Sequence, residues 1–78
     1  MDKTNLFDVS LIKKENIIAT LKDVYNSLEE RGYNPINQIV GYLISGDPGY
    51  ISSYKDARSK MMSLDRSEVV MLLLVEFL

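Results

Sequence analysis

Between Val69 and Leu78 the chain places a single polar residue, Glu76. Asp65, with Glu68 at the third helical position, resembles a capping box with Asp in place of Ser or Thr, so the segment opens as a helix. A helix that is apolar on every side has to be covered on every side. A chain of 78 residues forms one domain, and a domain of that size buries only about 60% of the surface its unfolded chain exposes. Its three other short helices can cover only part of the last one. The remainder is expected to be a homodimer interface, with Val69, Leu72, Leu73 and Phe77 as its candidate residues. The alternative is a chain end whose apolar residues simply rest on the core. Self-association also answers a second need. The chain has no Cys and no His, so disulfides and structural metals, the other usual staples of small domains, are out of reach. Each Leu-sized side chain buried contributes about 1.5–3 kcal/mol.

The rest of the chain reads as helices separated by clear stops. Ile17, Ile18, Leu21, Val24, Tyr25 and Leu28 form one stripe on a helix from Lys14 to Arg31, ended by Gly32. Asn34-Pro35 starts a second helix, Asn as the cap and Pro at the first turn. Its stripe is Ile36, Ile39, Val40, Leu43 and Ile44, and Gly46 ends it. After the turn Asp47-Pro48-Gly49, Ser53 with Asp56 is expected to cap a third helix bearing Ala57, Met61 and Leu64. Met1 to Lys13 shows no sustained period and is expected to be a tail. The predicted fold is therefore all-α: a small bundle of about four helices over residues 14–78, preceded by a tail over residues 1–13.

Several function classes recede on chemical grounds. General acid–base and metal chemistry most often recruit His, and nucleophilic catalysis often uses Cys; the expectation is a protein without enzymatic activity, cofactor or metal. Gly46-Asp47-Pro48-Gly49 lacks the glycine spacing and the Lys-Ser/Thr of a phosphate loop. Helices two and three, with Lys55, Arg58 and Lys60, are open to reading as a helix-turn-helix DNA-binding regulator. Asp56 interrupts that basic face, however, and the net charge is −2, from 9 basic and 11 acidic residues. Such a balance gives little of the phosphate attraction that supplies most DNA affinity, so no nucleic-acid partner is expected. The basic face is equally explained as solvated surface. The longest apolar run, Val69 to Val75, is too short to span a bilayer. The first residues also lack the pattern of a signal peptide, and a cytoplasmic location without membrane insertion is expected.

The stretch Val24-Tyr25-Asn26-Ser27-Leu28-Glu29-Glu30-Arg31-Gly32-Tyr33-Asn34-Pro35-Ile36-Asn37-Gln38-Ile39-Val40-Gly41-Tyr42-Leu43 resembles the IreB family, also known through ReoM-type proteins. Ser45-Gly46-Asp47-Pro48-Gly49-Tyr50-Ile51, Asp56-Ala57-Arg58 and Leu64-Asp65-Arg66-Ser67-Glu68 extend the likeness over nearly all of the chain beyond the tail. The resemblance implies a helical homodimer with a regulatory N-terminal tail in a low-GC Gram-positive bacterium. It further implies phosphorylation of a tail Thr by a membrane Ser/Thr kinase with extracellular PASTA repeats, reversed by a cognate phosphatase. The family's output, on this likeness, is control of peptidoglycan precursor synthesis through Clp-protease turnover of the first committed enzyme. Thr4 followed three residues later by Phe7 matches the family's phosphorylation pattern.

The chain departs from the family at Ser52-Ser53, where Pro-Arg is common, and at Met71-Leu72, where an acidic pair is common. Part of a basic surface is thereby missing. Asp56, Arg58 and Arg66 still match and are the candidate partner contacts; local pairing of the arginines with Asp56, Asp65 or Glu68 is the alternative.

Overall fold

The computed structural model describes the backbone of residues 2–78 and the side chains from Leu11 onward. The described residues form α1 (Asp2–Glu30), α2 (Pro35–Ser45), α3 (Ala57–Met62) and α4 (Arg66–Phe77), with short 3₁₀ turns at Pro48–Tyr50 and Tyr54–Asp56.

α1 begins at Asp2 rather than at Lys14. No Pro or Gly interrupts residues 2–13, and a helix already nucleated by its packed half propagates one hydrogen bond per residue. The lack of an apolar period removes a reason for docking, not a reason for helix. Thr4, Leu6 and Phe7 belong to the part whose side chains lie outside the described residues.

Local signals set the ends of the first two helices. Gly32 adopts φ +86°, with Tyr33 N donating to Leu28 O at 3.0 Å and Gly32 N to Glu29 O at 2.9 Å. That pair of bonds is the Schellman arrangement, which satisfies carbonyls the helix leaves open. Asn34 caps α2 by accepting from Asn37 N at 3.1 Å, and Pro35 follows at the first position. Gly46 (φ +76°) returns its N–H to Tyr42 O at 2.7 Å.

The core is organised on one side of α1. Ile17, Val24 and Leu28 meet Ile39 and Tyr42 of α2, Ile51 of the connection, Ala57, Met61 and Leu64 of the α3 region, and Val69 of α4. Leu21, Leu43 and Leu72 pack against this cluster while remaining partly open. α2 is rotated from the orientation its apolar stripe predicted. Pro35, Ile39 and Tyr42 face inward, whereas Ile36, Val40 and Ile44 are exposed. Tyr42, a residue with a polar tip, takes an inward place and supplies its ring to the core.

The third helix also differs from expectation. It starts only at Ala57, and neither Ser53 nor Asp56 makes a side-chain cap. Lys55 (φ +51°) and Asp56 (φ +62°) occupy the left-handed region in succession, so the chain turns sharply where a smooth helical start was predicted. Asp65 does cap α4, accepting from Ser67 N at 2.8 Å and Glu68 N at 3.2 Å. Glu68 does not close the box; its carboxylate binds Lys13 Nζ at 3.0 Å.

Gly46 carries a second constraint that Gly32 lacks. A Cβ at Gly46 would lie 2.8 Å from the Arg66 guanidinium, whereas nothing stands within 4 Å of one at Gly32. Placing Ala in the left-handed region costs roughly 1–2 kcal/mol at either position. Gly46→Ala is expected to cost more than Gly32→Ala in urea unfolding, because the guanidinium must also leave its hydrogen bond. In an Arg66→Ala background the two alanine substitutions are expected to cost the same.

Candidate protein-interaction surface

α4 turns only a narrow edge inward. Val69 is fully buried and Leu72 is half-buried against the core. Val70, Leu73, Leu74 and Phe77 are 40, 48, 53 and 88% exposed, and their i, i+3, i+4, i+7 spacing makes them one continuous stripe on the outer face. Of the predicted interface residues, Leu73 and Phe77 lie on this stripe. Val69 does not: its side chain is fully buried in the chain's own core cluster, so it presents nothing to a second molecule. Leu72 is mostly turned the same way.

A second apolar row, Ile36, Val40 and Ile44 on α2, is also open. A groove of about 480 Å³ connects the two regions; Leu21 and Tyr25 of α1, Ile36 and Ile39 of α2 and Leu73 of α4 supply its apolar lining. The α2 row was legible in the sequence as a stripe but assigned to the wrong side.

The charged candidates occupy other places. Arg58 is half-buried, and its Nε donates to Ile51 O at 2.8 Å while its backbone N–H reaches Ser52 O at 3.1 Å. It therefore fixes the connection before α3. Arg66 Nη1 donates to Leu43 O at 3.1 Å, with the guanidinium 6.0 Å from the centre of the Tyr42 ring. It joins the start of α4 to the end of α2. The local ion pairs considered for these arginines are not formed. Among the described residues the pairs are Lys13–Glu68, Lys14–Glu76, Lys55–Glu30 and Lys60–Asp23. Asp56 is exposed on its left-handed turn, apart from these bonds. Ser52, at the first position of the Ser52-Ser53 departure, receives structural work: its N–H donates to Gln38 Oε1 at 2.9 Å and its Oγ accepts from Tyr54 N at 3.1 Å.

The basic residues of the helix-turn-helix alternative are all engaged within the chain. Lys55 binds Glu30 at 2.8 Å, Lys60 binds Asp23 at 2.7 Å and Arg58 binds Ile51 O. α3 itself has 6 residues, fewer than two turns, and is too short to project a recognition face into a groove.

The Glu30 site has a readable electrostatic signature. The hydrogen bond from Lys55, helped by its charge and by a weaker bond from the Tyr54 hydroxyl, holds the Glu30 carboxyl below its ordinary value. The same hydrogen bond and charge raise the Lys55 ammonium above its own. Arg31 lies over the Tyr54 ring at 5.1 Å, so the cluster ties the end of α1 to the turn before α3.

The fold and its open faces define a small helical protein whose most prominent exposed feature is the apolar surface formed by α2 and α4. The chain belongs to the IreB regulatory phosphoprotein family, whose sequence model matches residues 2–78.

Because the Glu30 pKa is depressed, its contribution to stability is present above the unfolded value of 4.5 and is lost as pH falls through the folded one. The raised Lys55 contributes below its unfolded value of 10.5 and loses that contribution as pH rises through the folded one. Glu30→Gln is thus expected to lower the melting temperature slightly at neutral pH. The difference from the parent should disappear in strong acid, as followed by circular dichroism melts across the pH range.

Proposed function

We propose that this protein is a non-enzymatic, cytoplasmic regulator that acts through protein–protein contacts as a homodimer and is switched by phosphorylation of Thr4. The observation that carries the reading is the family match across residues 2–78, joined to an exposed apolar stripe that a protein of this size has no use for unless it is covered. The kinase is of the PASTA-repeat Ser/Thr type, opposed by its phosphatase. The output is control of peptidoglycan precursor synthesis, through Clp-protease turnover of its first committed enzyme.

In this reading the dimer forms on Val70, Leu73, Leu74 and Phe77 with the α2 row beside them. This revises the interface inferred from sequence by exchanging Val69 and Leu72 for their outward neighbours. Asp56, Arg58 and Arg66 are the proposed partner contacts, Arg66 beside Val70 of the α4 stripe and Asp56 and Arg58 away from it at the start of α3. A phosphate adds about −1.5 to −2 charge at pH 7 to a chain whose net charge is −2.

Light scattering at micromolar concentration is expected to give twice the monomer mass for the parent and the monomer mass for Leu73→Asp, with helical content retained. A monodisperse monomer for the parent would contradict the dimer. For the switch, intact-mass analysis after treatment with the cognate kinase should show one added phosphate on the parent and none on Thr4→Ala, whose melting temperature stays that of the parent. In cells, deleting the gene should lengthen the half-life of the first committed enzyme of peptidoglycan synthesis; an unchanged half-life would contradict the proposed output.

A further inference from the structure

α4 is attached to the rest of the protein in an uneven way. At its N-terminal end Arg66 reaches Leu43 O and lies against Tyr42 and the bare Cα of Gly46. Beyond that point Val69 and Leu72 are the side chains that reach the core, and the outer apolar residues of the helix stay open. Among the described residues two ion pairs add to these contacts. Lys13 Nζ binds Glu68 Oε2 at 3.0 Å and Lys14 Nζ binds Glu76 Oε2 at 2.7 Å, all four side chains being at least one-third exposed.

The spacing of these pairs is informative. Lys13 and Lys14 are neighbours on α1, about 100° apart around it, whereas Glu68 and Glu76 stand about 12 Å apart along α4. Two adjacent cations therefore reach in different directions and bracket the α4 turn that carries Val69 and Leu72. Exposed ion pairs are individually weak and are screened by salt, so α4, which among the described residues is held by Arg66, Val69, half-buried Leu72 and such a bracket, sits at the low end of local stability.

We propose that α4 docks as a separable unit, hinged near Asp65 and Arg66 and held on α1 by the Lys13–Lys14 bracket, and that it opens from a folded α1–α3 core at a frequency set by ionic strength. Opening carries the Val70–Phe77 stripe away from the α2 row and breaks the groove that Leu73 shares with Leu21, Tyr25, Ile36 and Ile39. The combined apolar surface exists only while the bracket is closed, which makes the bracket a control point for the second copy that the proposed function seats there, and in this the inference rests on that reading.

Hydrogen exchange of the full chain, followed residue by residue, tests the proposal. Raising salt from about 0.01 M to 1 M shortens the Debye length from about 30 Å to 3 Å. It is expected to lower amide protection in α4 several-fold while leaving that of Val24 to Leu28 unchanged. Lys13→Glu with Lys14→Glu should reproduce the loss at low salt, and adding Glu68→Lys with Glu76→Lys should restore protection. Unchanged α4 protection in the charge-reversed protein, failure of the fourfold variant to restore it, or an equal loss at Val24 to Leu28 would each overturn the proposal. A fall in mass by light scattering accompanies the loss of protection, since the second copy of the proposed function sits on this surface. The salt response is expected to persist in the monomeric Leu73→Asp protein, and its absence there would overturn the proposal, because the exposure would then belong to an intermolecular contact.

Discussion

The architecture depends on the face of α1 defined by Ile17, Val24 and Leu28, because every other element finds its core contacts there or on the cluster built upon it. A core arranged along one side of one helix has limited area. α2 and the α3 region occupy most of it, and α4 arrives with room to bury only Val69 and part of Leu72. The outward apolar residues of α4 and the displaced row on α2 follow from this shortage of inward surface. No buried polar side-chain atom is left without a partner among the described residues, so the core is small but internally satisfied, and the open apolar area lies at its edge.

What could be read from the sequence was whatever is decided within a turn or two of chain. The caps at Asn34 and Asp65 and the left-handed stops at Gly32 and Gly46 depend on a few neighbouring backbone groups, and each appears where its residue type placed it. The stripe of α1 was legible because its apolar residues are flanked by polar ones. α2 was harder: Ile36, Ile39, Tyr42, Leu43 and Ile44 span a wide arc, and which edge turns inward is settled by the neighbours. α4 has the same ambiguity in stronger form, since an almost uniformly apolar segment has no period to mark a side. Val69 therefore passed for an interface residue. Ser53 and Asp56 misled for another reason: their spacing fits a cap, but the consecutive positive φ angles of Lys55 and Asp56 redirect the chain before a helix can start. The arginines were recognised as important without their geometry being legible, because both reach backbone carbonyls distant in sequence.

Membership of a regulatory phosphoprotein family and an exposed apolar surface point the same way. A regulator that works by contact needs a rigid scaffold and a surface that can be made available or withheld. α1 and its core provide the first. In the proposed account, the α2–α4 face provides the second, with phosphate on the N-terminal segment and the ionic attachment of α4 as separate means of changing what a partner meets.

The central claim is that the outer faces of α2 and α4 are covered by a second copy of the chain. Isotope-filtered nuclear Overhauser spectroscopy on a mixture of labelled and unlabelled protein tests it most directly. The account predicts intermolecular contacts from the methyl groups of Val70, Leu73 and Leu74, and from those of Ile36, Val40 and Ile44. Intermolecular contacts confined to other surfaces, or none at concentrations where the protein is fully folded, would contradict it.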